Sequence, residues 1–230
     1  MTEQPPQEYI PAPEETIAEL KDAINKRDRK IEELMKMAYT DELTGLDNRR
    51  KFNEEFARRK GDIEKRSSAT EGNPDVLLIL DLDNFKIVND AFREGHVGGD
   101  RALKAAAEHL MSLVREKFRV DDVVARYGGE EFAVLLKEVD VAGLMERLKL
   151  GFMVELDGEP TPITFSGGYT VVTPGEDVET AFARADEALF IAKEDRELPD
   201  GTIVRGRNRI LPYSEDIKEE MEEKARLLQA

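Results

Sequence analysis

Arg126-Tyr127-Gly128-Gly129-Glu130-Glu131-Phe132 is the stretch on which the reading of this chain turns. Strand-forming runs flank it, Val123 to Ala125 before and Ala133 to Leu136 after. A Gly-Gly pair between two such runs predicts a tight β-hairpin in which both central residues take φ > 0. Two carboxylates follow the glycines at once, so the tip concentrates negative charge on almost bare backbone. Carboxylates on a rigid tip suit a hard divalent cation, and glycine backbone lets a bulky anion approach. The plain alternative is a solvated turn whose acids serve solubility.

Upstream, Val76-Leu77-Leu78-Ile79-Leu80 is a continuous apolar run, the mark of a strand buried on both faces. It ends in Asp81-Leu82-Asp83, so carboxylates emerge where the strand leaves the core. A helix is expected from near Asn84 and another over about Gly99 to Lys117, where Ala102, Leu103, Ala106, Leu110 and Leu113 repeat at helical spacing. After the hairpin come a helix near Val141 to Leu150, a strand around Ile163 to Val172 and a helix from Val178 to Lys193. Pro199-Asp200-Gly201 predicts a small hairpin excursion, and Gly206 to Leu211 a last short strand. Strands alternating with helices, plus one antiparallel hairpin, imply an α/β fold: a central mixed sheet flanked by helices, preceded by an N-terminal helix.

The ends differ in character. Residues 1–15 hold four prolines and little apolar content, and read as a disordered leader. Residues 16–39 read as a signalling helix: Ile17, Ile24, Ile31 and Ala38 recur every seven residues with Leu20 and Leu34 on the offset seam, a coiled-coil dimerisation pattern of about three heptads. Its alternative is an amphipathic helix packed on its own domain. Asp41 to Arg50 forms a turn and starts a helix to about Arg59, followed by a polar loop over residues 60–74. The main domain is expected over 40–213, and 214–230 as an acidic helix carrying Ile217, Met221 and Leu228.

Composition narrows the partners. The 230 residues are 40% hydrophobic, enough for a sizeable core, and 37% charged with a net charge of −16. Such a surface repels nucleic acid and anionic membrane, so an anionic substrate needs metal ions or a local basic patch. There is no cysteine, hence no disulfide, thiolate metal site or thiol nucleophile. The N-terminus is polar, and no apolar run nears the roughly 18 residues that cross a bilayer, so a cytoplasmic protein without membrane insertion is expected.

If the Asp81 strand and the hairpin are neighbours, Asp81, Asp83, Glu130 and Glu131 converge at one sheet edge. Like charges that close stay ionised only with a cation among them. Two Mg²⁺ ions roughly 4 Å apart, clamping phosphate oxygens and activating a hydroxyl, suit such a site. Lys86, Lys193 and Arg207 are available for the outer phosphates. Phosphoryl or nucleotidyl transfer is the chemistry these residues support.

Five ordered motifs carry a resemblance. They are Asp41-x-Leu43-Thr44-Gly45-Leu46-x-Asn48-Arg49-Arg50, Asp81-Leu82-Asp83-x-Phe85-Lys86-x-x-Asn89-Asp90, Gly95-His96-x-x-Gly99-Asp100, Ala185-Asp186-x-Ala188-Leu189-Phe190-x-Ala192-Lys193 and Gly206-Arg207-Asn208-Arg209. With the hairpin in its Gly-Gly-Glu-Glu-Phe form, the chain resembles a GGDEF-family diguanylate cyclase over about residues 39–212. The resemblance implies the palm-like fold of nucleotidyl cyclases and polymerases, and an enzyme that joins two GTP into cyclic di-GMP across a homodimer. It implies that Asp81, Glu130 and the Leu82 carbonyl ligate two Mg²⁺, with Mn²⁺ as a substitute. Glu131 would add a ligand or help deprotonate the 3′-hydroxyl. Gly128 and Gly129 would lie against the nucleotide, Asn89 and Asp100 would read guanine with Phe85 alongside, and Lys86, Lys193 and Arg207 would hold phosphates. Arg119 and Asp122 stand at the spacing of the family's product-inhibition site, where cyclic di-GMP feeds back. An upstream sensory partner would drive the N-terminal helix.

Two departures matter. Four residues, Ala91 to Glu94, stand where the family has two, and twelve, Glu194 to Arg205, stand where it has two. Lys193 and Arg207 still meet if the longer segment loops out, because loop-closure cost grows slowly with length. The competing readings are a catalytically inactive module that binds cyclic di-GMP or GTP, and a cyclase making a mixed adenine–guanine dinucleotide.

Overall fold

A computed structural model describes residues 13–66, 74–91, 96–115, 121–137, 141–197 and 203–228. They fall into two units, one up to Ala38 and one from Tyr39 onward. The first is helix α1 (Pro13–Tyr39), which starts three residues ahead of the expected Thr16. The remainder of the expected leader, residues 1–12, lies outside the described residues. The heptad residues Ile17, Leu20, Ile24, Ile31 and Leu34 are each about half exposed.

The second unit is built on strand β2 (Val76–Leu82), all seven residues of which are buried. Val76, Leu78, Leu80 and Leu82 enter one core cluster, Leu77 and Ile79 the other. That split follows from the two-residue period of a strand, and a strand apolar on both faces is stable only inside a covered sheet. The sheet runs β1 (Asp47–Asn48), β3 (Val123–Gly128), β4 (Glu131–Leu136), β2, β7 (Phe165–Val171), β10 (Ile210–Pro212). β2 is antiparallel to β4 and β7, whereas β1 runs parallel to β3 and β10 parallel to β7. This is the expected mixed sheet.

Helices cover both faces. α4 (His96–Arg115) and α5 (Val141–Lys149) supply Ala102, Ala106, Leu110 and Leu148 to the first cluster, to which Val88 of α3 (Phe85–Ala91) also belongs. α2 (Arg49–Arg66) and α6 (Val178–Lys193) supply Phe52, Phe56, Ile63, Ala181, Ala185 and Leu189 to the second. α7 (Glu215–Leu228) sets Ile217 and Met221 against Ala188 and Ile191 of α6.

Two further features differ from expectation. α2 continues to Arg66 instead of ending near Arg59. Ile63 lies three turns beyond Phe52 on the same buried face, and burying it contributes roughly 1.5–3 kcal/mol, more than the ~1 kcal/mol that Gly61 costs inside a helix. A separate hairpin, β5 (Phe152–Leu156) with β6 (Glu159–Ile163), was not expected at all. Its turn is Asp157-Gly158, both at positive φ (51° and 84°), as a two-residue hairpin turn requires. The predicted excursion after α6 does form, as β8 (Arg196–Glu197) paired with β9 (Ile203–Val204); its Pro199-Asp200-Gly201 turn lies outside the described residues.

α6 lies directly on β7 because Gly168 has no side chain: a β-carbon there would collide with the Ala185 carbonyl and the Leu189 amide. Backbone on both sides leaves nothing flexible to yield. Gly168→Ala is therefore expected to cost about 1–3 kcal/mol of unfolding free energy, read as a lower urea midpoint. Gly61→Ala, with nothing within 4 Å of the added carbon, is expected to add about 0.5–1 kcal/mol, read as a higher midpoint.

Candidate active site

β2 ends in two aspartates with different fates. Asp83, 5% exposed, has both oxygens engaged: Thr164 Oγ1 and Ser166 Oγ each donate at 2.6 Å and the Asn208 amide at 2.8 Å. A carboxylate holding three donors is satisfied without a metal ion. Asp83 therefore lies with Asp81 and Glu130 at the sheet edge, as expected, but with its oxygens already taken. Asp81, 8% exposed, has one cation beside it, Lys193 Nζ at 2.8 Å. Burial pushes the Asp81 carboxyl above the ordinary range; Lys193 opposes this, and Glu130 and Glu131 add to it.

The hairpin is present with a shifted turn. Gly128 pairs with Glu131 after a register shift beyond Arg126, so the connecting residues are Gly129 and Glu130. Only Gly129 has positive φ (31°), not both glycines as the sequence suggested. A β-carbon on Gly129 would meet nothing within 4 Å, and one on Gly128 only Glu131 Oε2 at 3.5 Å. Packing within the chain does not demand these glycines; they leave open space over the tip.

The tip is held from both sides. The Leu82 amide donates to the Glu130 carbonyl at 3.3 Å, which fixes the hairpin to the end of β2. Arg126 donates through Nε to the Gly129 carbonyl (2.9 Å) and through Nη1 to Asp41 (3.2 Å to Oδ2). Asp41 also accepts from the Thr44 amide and hydroxyl at 2.9 and 2.6 Å. Burial pushes the Asp41 carboxyl up, but Thr44 and Arg126 outweigh it and hold it below the ordinary range. Sequence reading assigned Arg126 and Asp41 no role in holding the tip, since 85 residues separate them. Tyr127 stacks on Phe182 at 4.1 Å between ring centroids, with the Arg49 guanidinium 4.7 Å from its ring.

Asp81, Leu82, Asp83, Asn84, Phe85, Lys86, Glu130, Lys193 and Arg207 line a cleft of about 180 Å³. The structure thus brings together three acids, three bases, Leu82 and Phe85 of the residues singled out in the sequence. Glu131 is exposed at the start of β4 rather than in this cleft. Asn89 of α3 meets α4 at Gly99, where a β-carbon would collide with Asn89 Oδ1 and come within 3.2 Å of the Phe85 ring, and Asp100, the next residue of α4, is exposed. Residues 92–94 of the shorter insertion lie outside the described residues, as do Gly95 and Arg119. Asp122 accepts the Lys137 amide at 2.8 Å, and Asp121 pairs with Lys137 Nζ at 2.7 Å.

Among the described residues no group of three or more acidic or histidine side chains forms a complete metal cage. Asp81, Glu130 and the Leu82 carbonyl nevertheless suit Mg²⁺, which commonly takes one or two carboxylates and completes its shell with water and substrate phosphate. The Lys193 ammonium on Asp81 is a stand-in cation at that place.

Comparison with known proteins agrees with this geometry. The family described as "Diguanylate cyclase, GGDEF domain" matches residues 38–197, and the chain belongs to the GGDEF family. It is 41% identical over 173 residues to diguanylate cyclase DgcP of Pseudomonas aeruginosa, covering 71% of this chain and 24% of that protein. It is 35% identical over 176 residues to cyclic di-GMP phosphodiesterase NbdA of the same organism, covering 74% of this chain and 21% of that one. The chain therefore spans about a quarter or less of these two relatives' length. The crystal structure of the coiled coil and GGDEF domain of DgcB from Caulobacter crescentus, in complex with c-di-GMP, superposes with a TM-score of 0.69 at 26% identity, covering 86% of this chain and 98% of that one. No helix among the described residues is long and apolar enough to cross a membrane.

A carboxyl raised on folding costs stability once the pH exceeds its unfolded value near 4, and costs nothing below it. Asp81→Asn is accordingly expected to raise the melting temperature at pH 7, with the gain vanishing toward pH 3. A thermal-melt series against pH reads this; a lower melting temperature at pH 7 would contradict the burial penalty.

Proposed function

We propose that this chain is a diguanylate cyclase, condensing two GTP into cyclic di-GMP with release of two pyrophosphates across a homodimer. The supporting observation is the cleft in which Asp81 and Glu130 face Lys86, Lys193 and Arg207. In each of two condensations a 3′-hydroxyl oxygen bonds to the partner's α-phosphorus, the bond to the β-phosphate oxygen breaks, and the hydroxyl proton is lost. Mg²⁺ held by Asp81, Glu130 and the Leu82 carbonyl, or Mn²⁺ in its place, would supply charge neutralisation and an acidified hydroxyl.

The chain's own residues do the rest. Lys193 gives up Asp81 and, with Arg207 and Lys86, holds the terminal phosphates as pyrophosphate leaves. Asp100 and Asn89 read the guanine, Asp100 accepting from N1–H and N2–H, donors that adenine lacks, while Asn89 and Phe85 pack at Gly99. The open backbone at Gly128 and Gly129 admits the nucleotide. Glu131, exposed at the start of β4, would add a metal ligand or help take the 3′-hydroxyl proton. A single chain offers one set of these residues, so the reaction needs a second copy. The half-exposed stripe of Ile17, Leu20, Ile24, Ile31 and Leu34 on α1 favours a coiled-coil dimer. Feedback by cyclic di-GMP at Arg119 and Asp122 completes the proposal, along with an upstream sensory partner and a cytoplasmic setting.

A second reading, a catalytically inactive module that binds cyclic di-GMP or GTP, draws on the likeness to NbdA, which is named for a phosphodiesterase. One assay separates the two. Incubation with GTP and Mg²⁺ is expected to yield one cyclic di-GMP per two pyrophosphates by chromatography, and Glu130→Gln is expected to lower kcat by roughly 10²–10³. Bound GTP without product at high protein concentration would establish the inactive module instead.

A further inference from the structure

The twelve-residue excursion Glu194–Arg205 separates Lys193 from Arg207, yet both side chains line one cleft. We infer that Asp83 and Asp195 are positioning residues that close the base of this excursion and so hold Arg207 against the nucleotide's phosphates. The inference rests on the reading of Arg207 as a phosphate contact.

Two carboxylates hold the backbone that returns from the excursion. Asp195 accepts the Gly206 amide through Oδ1 at 2.8 Å and Arg205 Nη1 through Oδ2 at 2.6 Å. Asp83 accepts the Asn208 amide at 2.8 Å, across 125 residues of sequence. Between these grips the Arg207 amide donates to the Ala192 carbonyl at 2.9 Å. Gly206 fits because a β-carbon there would collide with the Lys193 carbonyl. The grips hold the backbone N–H groups of residues 206 and 208, while the Arg207 side chain is left exposed.

The conformation they hold is not one the chain adopts unaided. Arg207 and Asn208 both have left-handed backbone, φ 73° and 46°, and two such non-glycine residues in succession persist only where surrounding contacts over-determine them. Asn tolerates this region and Arg does not favour it. Thr164, donating to the same Asp83 oxygen as the Asn208 amide, and Ser166, donating to the other, fix that carboxylate to the sheet, so the grip is referred to the end of β2. A free twelve-residue excursion would let Arg207 range over the cleft mouth; the two aspartates remove that freedom before nucleotide arrives.

Titration calorimetry with Mg²⁺ and either an α,β-methylene GTP analogue or GMP tests this, since only the analogue carries the terminal phosphates. Arg207→Ala sets the scale: about tenfold weaker binding of the analogue, with GMP changed less than about twofold. Asp195→Ala, at an exposed position that leaves the core intact, and Asp83→Asn are each expected to weaken the analogue by roughly three- to tenfold and to spare GMP. Either one combined with Arg207→Ala should give no further loss. Equal loss of analogue and GMP, no loss of either, or losses that add to that of Arg207→Ala would overturn the inference while the phosphate reading stands. An unaffected Arg207→Ala would overturn the phosphate reading itself. Should Asp83→Asn fail to fold, Asp195→Ala alone decides.

Discussion

The burial of β2 on both faces is the constraint on which the rest of the structure depends. Seven consecutive buried residues can sit only in the middle of the sheet, which sets β4 on one side and β7 on the other. The strand therefore discharges its two aspartates at a fixed point between the hairpin tip and the Thr164–Ser166 segment. Asp81 lies in register with Glu131 and Ser166, so Glu130 is one residue away across the turn. Asp83, past the last ladder pair, is captured by hydroxyls from β7 and the residue before it. The exit of one strand thus provides both a carboxylate facing a single lysine and one supplied with three donors.

That contrast explains what was legible in the sequence. The mixed sheet followed from apolar run lengths, and the α6 stripe of Ala181, Ala185 and Ala188 from its spacing. Asp81 and Asp83, by contrast, are the same residue type at the same strand exit. Nothing local distinguishes them, because their donors come from 81 to 125 residues downstream. Arg126 and Asp41 were hidden for the same reason. The β5–β6 hairpin did carry a local signal, Asp157-Gly158, but Pro160 and Pro162 break up the apolar alternation that would have marked β6. Gly61 looked like a helix breaker because the burial of Ile63 beyond it depends on the α2 face. The Gly-Gly pair misplaced the turn by one residue, since the bulge after Arg126 is a property of the paired strands.

Stability and function pull in opposite directions at this site. Burial drives the Asp81 carboxyl up while Lys193 draws it down, so the protein holds a costly charge against an internal cation. Two supports keep the surroundings rigid: Arg126 ties the tip to the Asp41 turn, and Asp83 ties the Arg207 turn to the sheet. The long excursion after Lys193 is tolerated because it pairs with itself as β8–β9 and leaves Lys193 and Arg207 in one cleft.

The central claim is that Asp81 is the carboxylate of β2 that takes the metal and Asp83 is the one that builds the site. Anomalous diffraction from crystals grown with Mn²⁺ and an α,β-methylene GTP analogue tests it directly. The account predicts manganese within bonding distance of Asp81 and Glu130, Lys193 moved from Asp81 to the terminal phosphates, and Asp83 still bound by Thr164, Ser166 and the Asn208 amide. Manganese on Asp83, or a Lys193–Asp81 pair intact beside a metal held elsewhere, would contradict it.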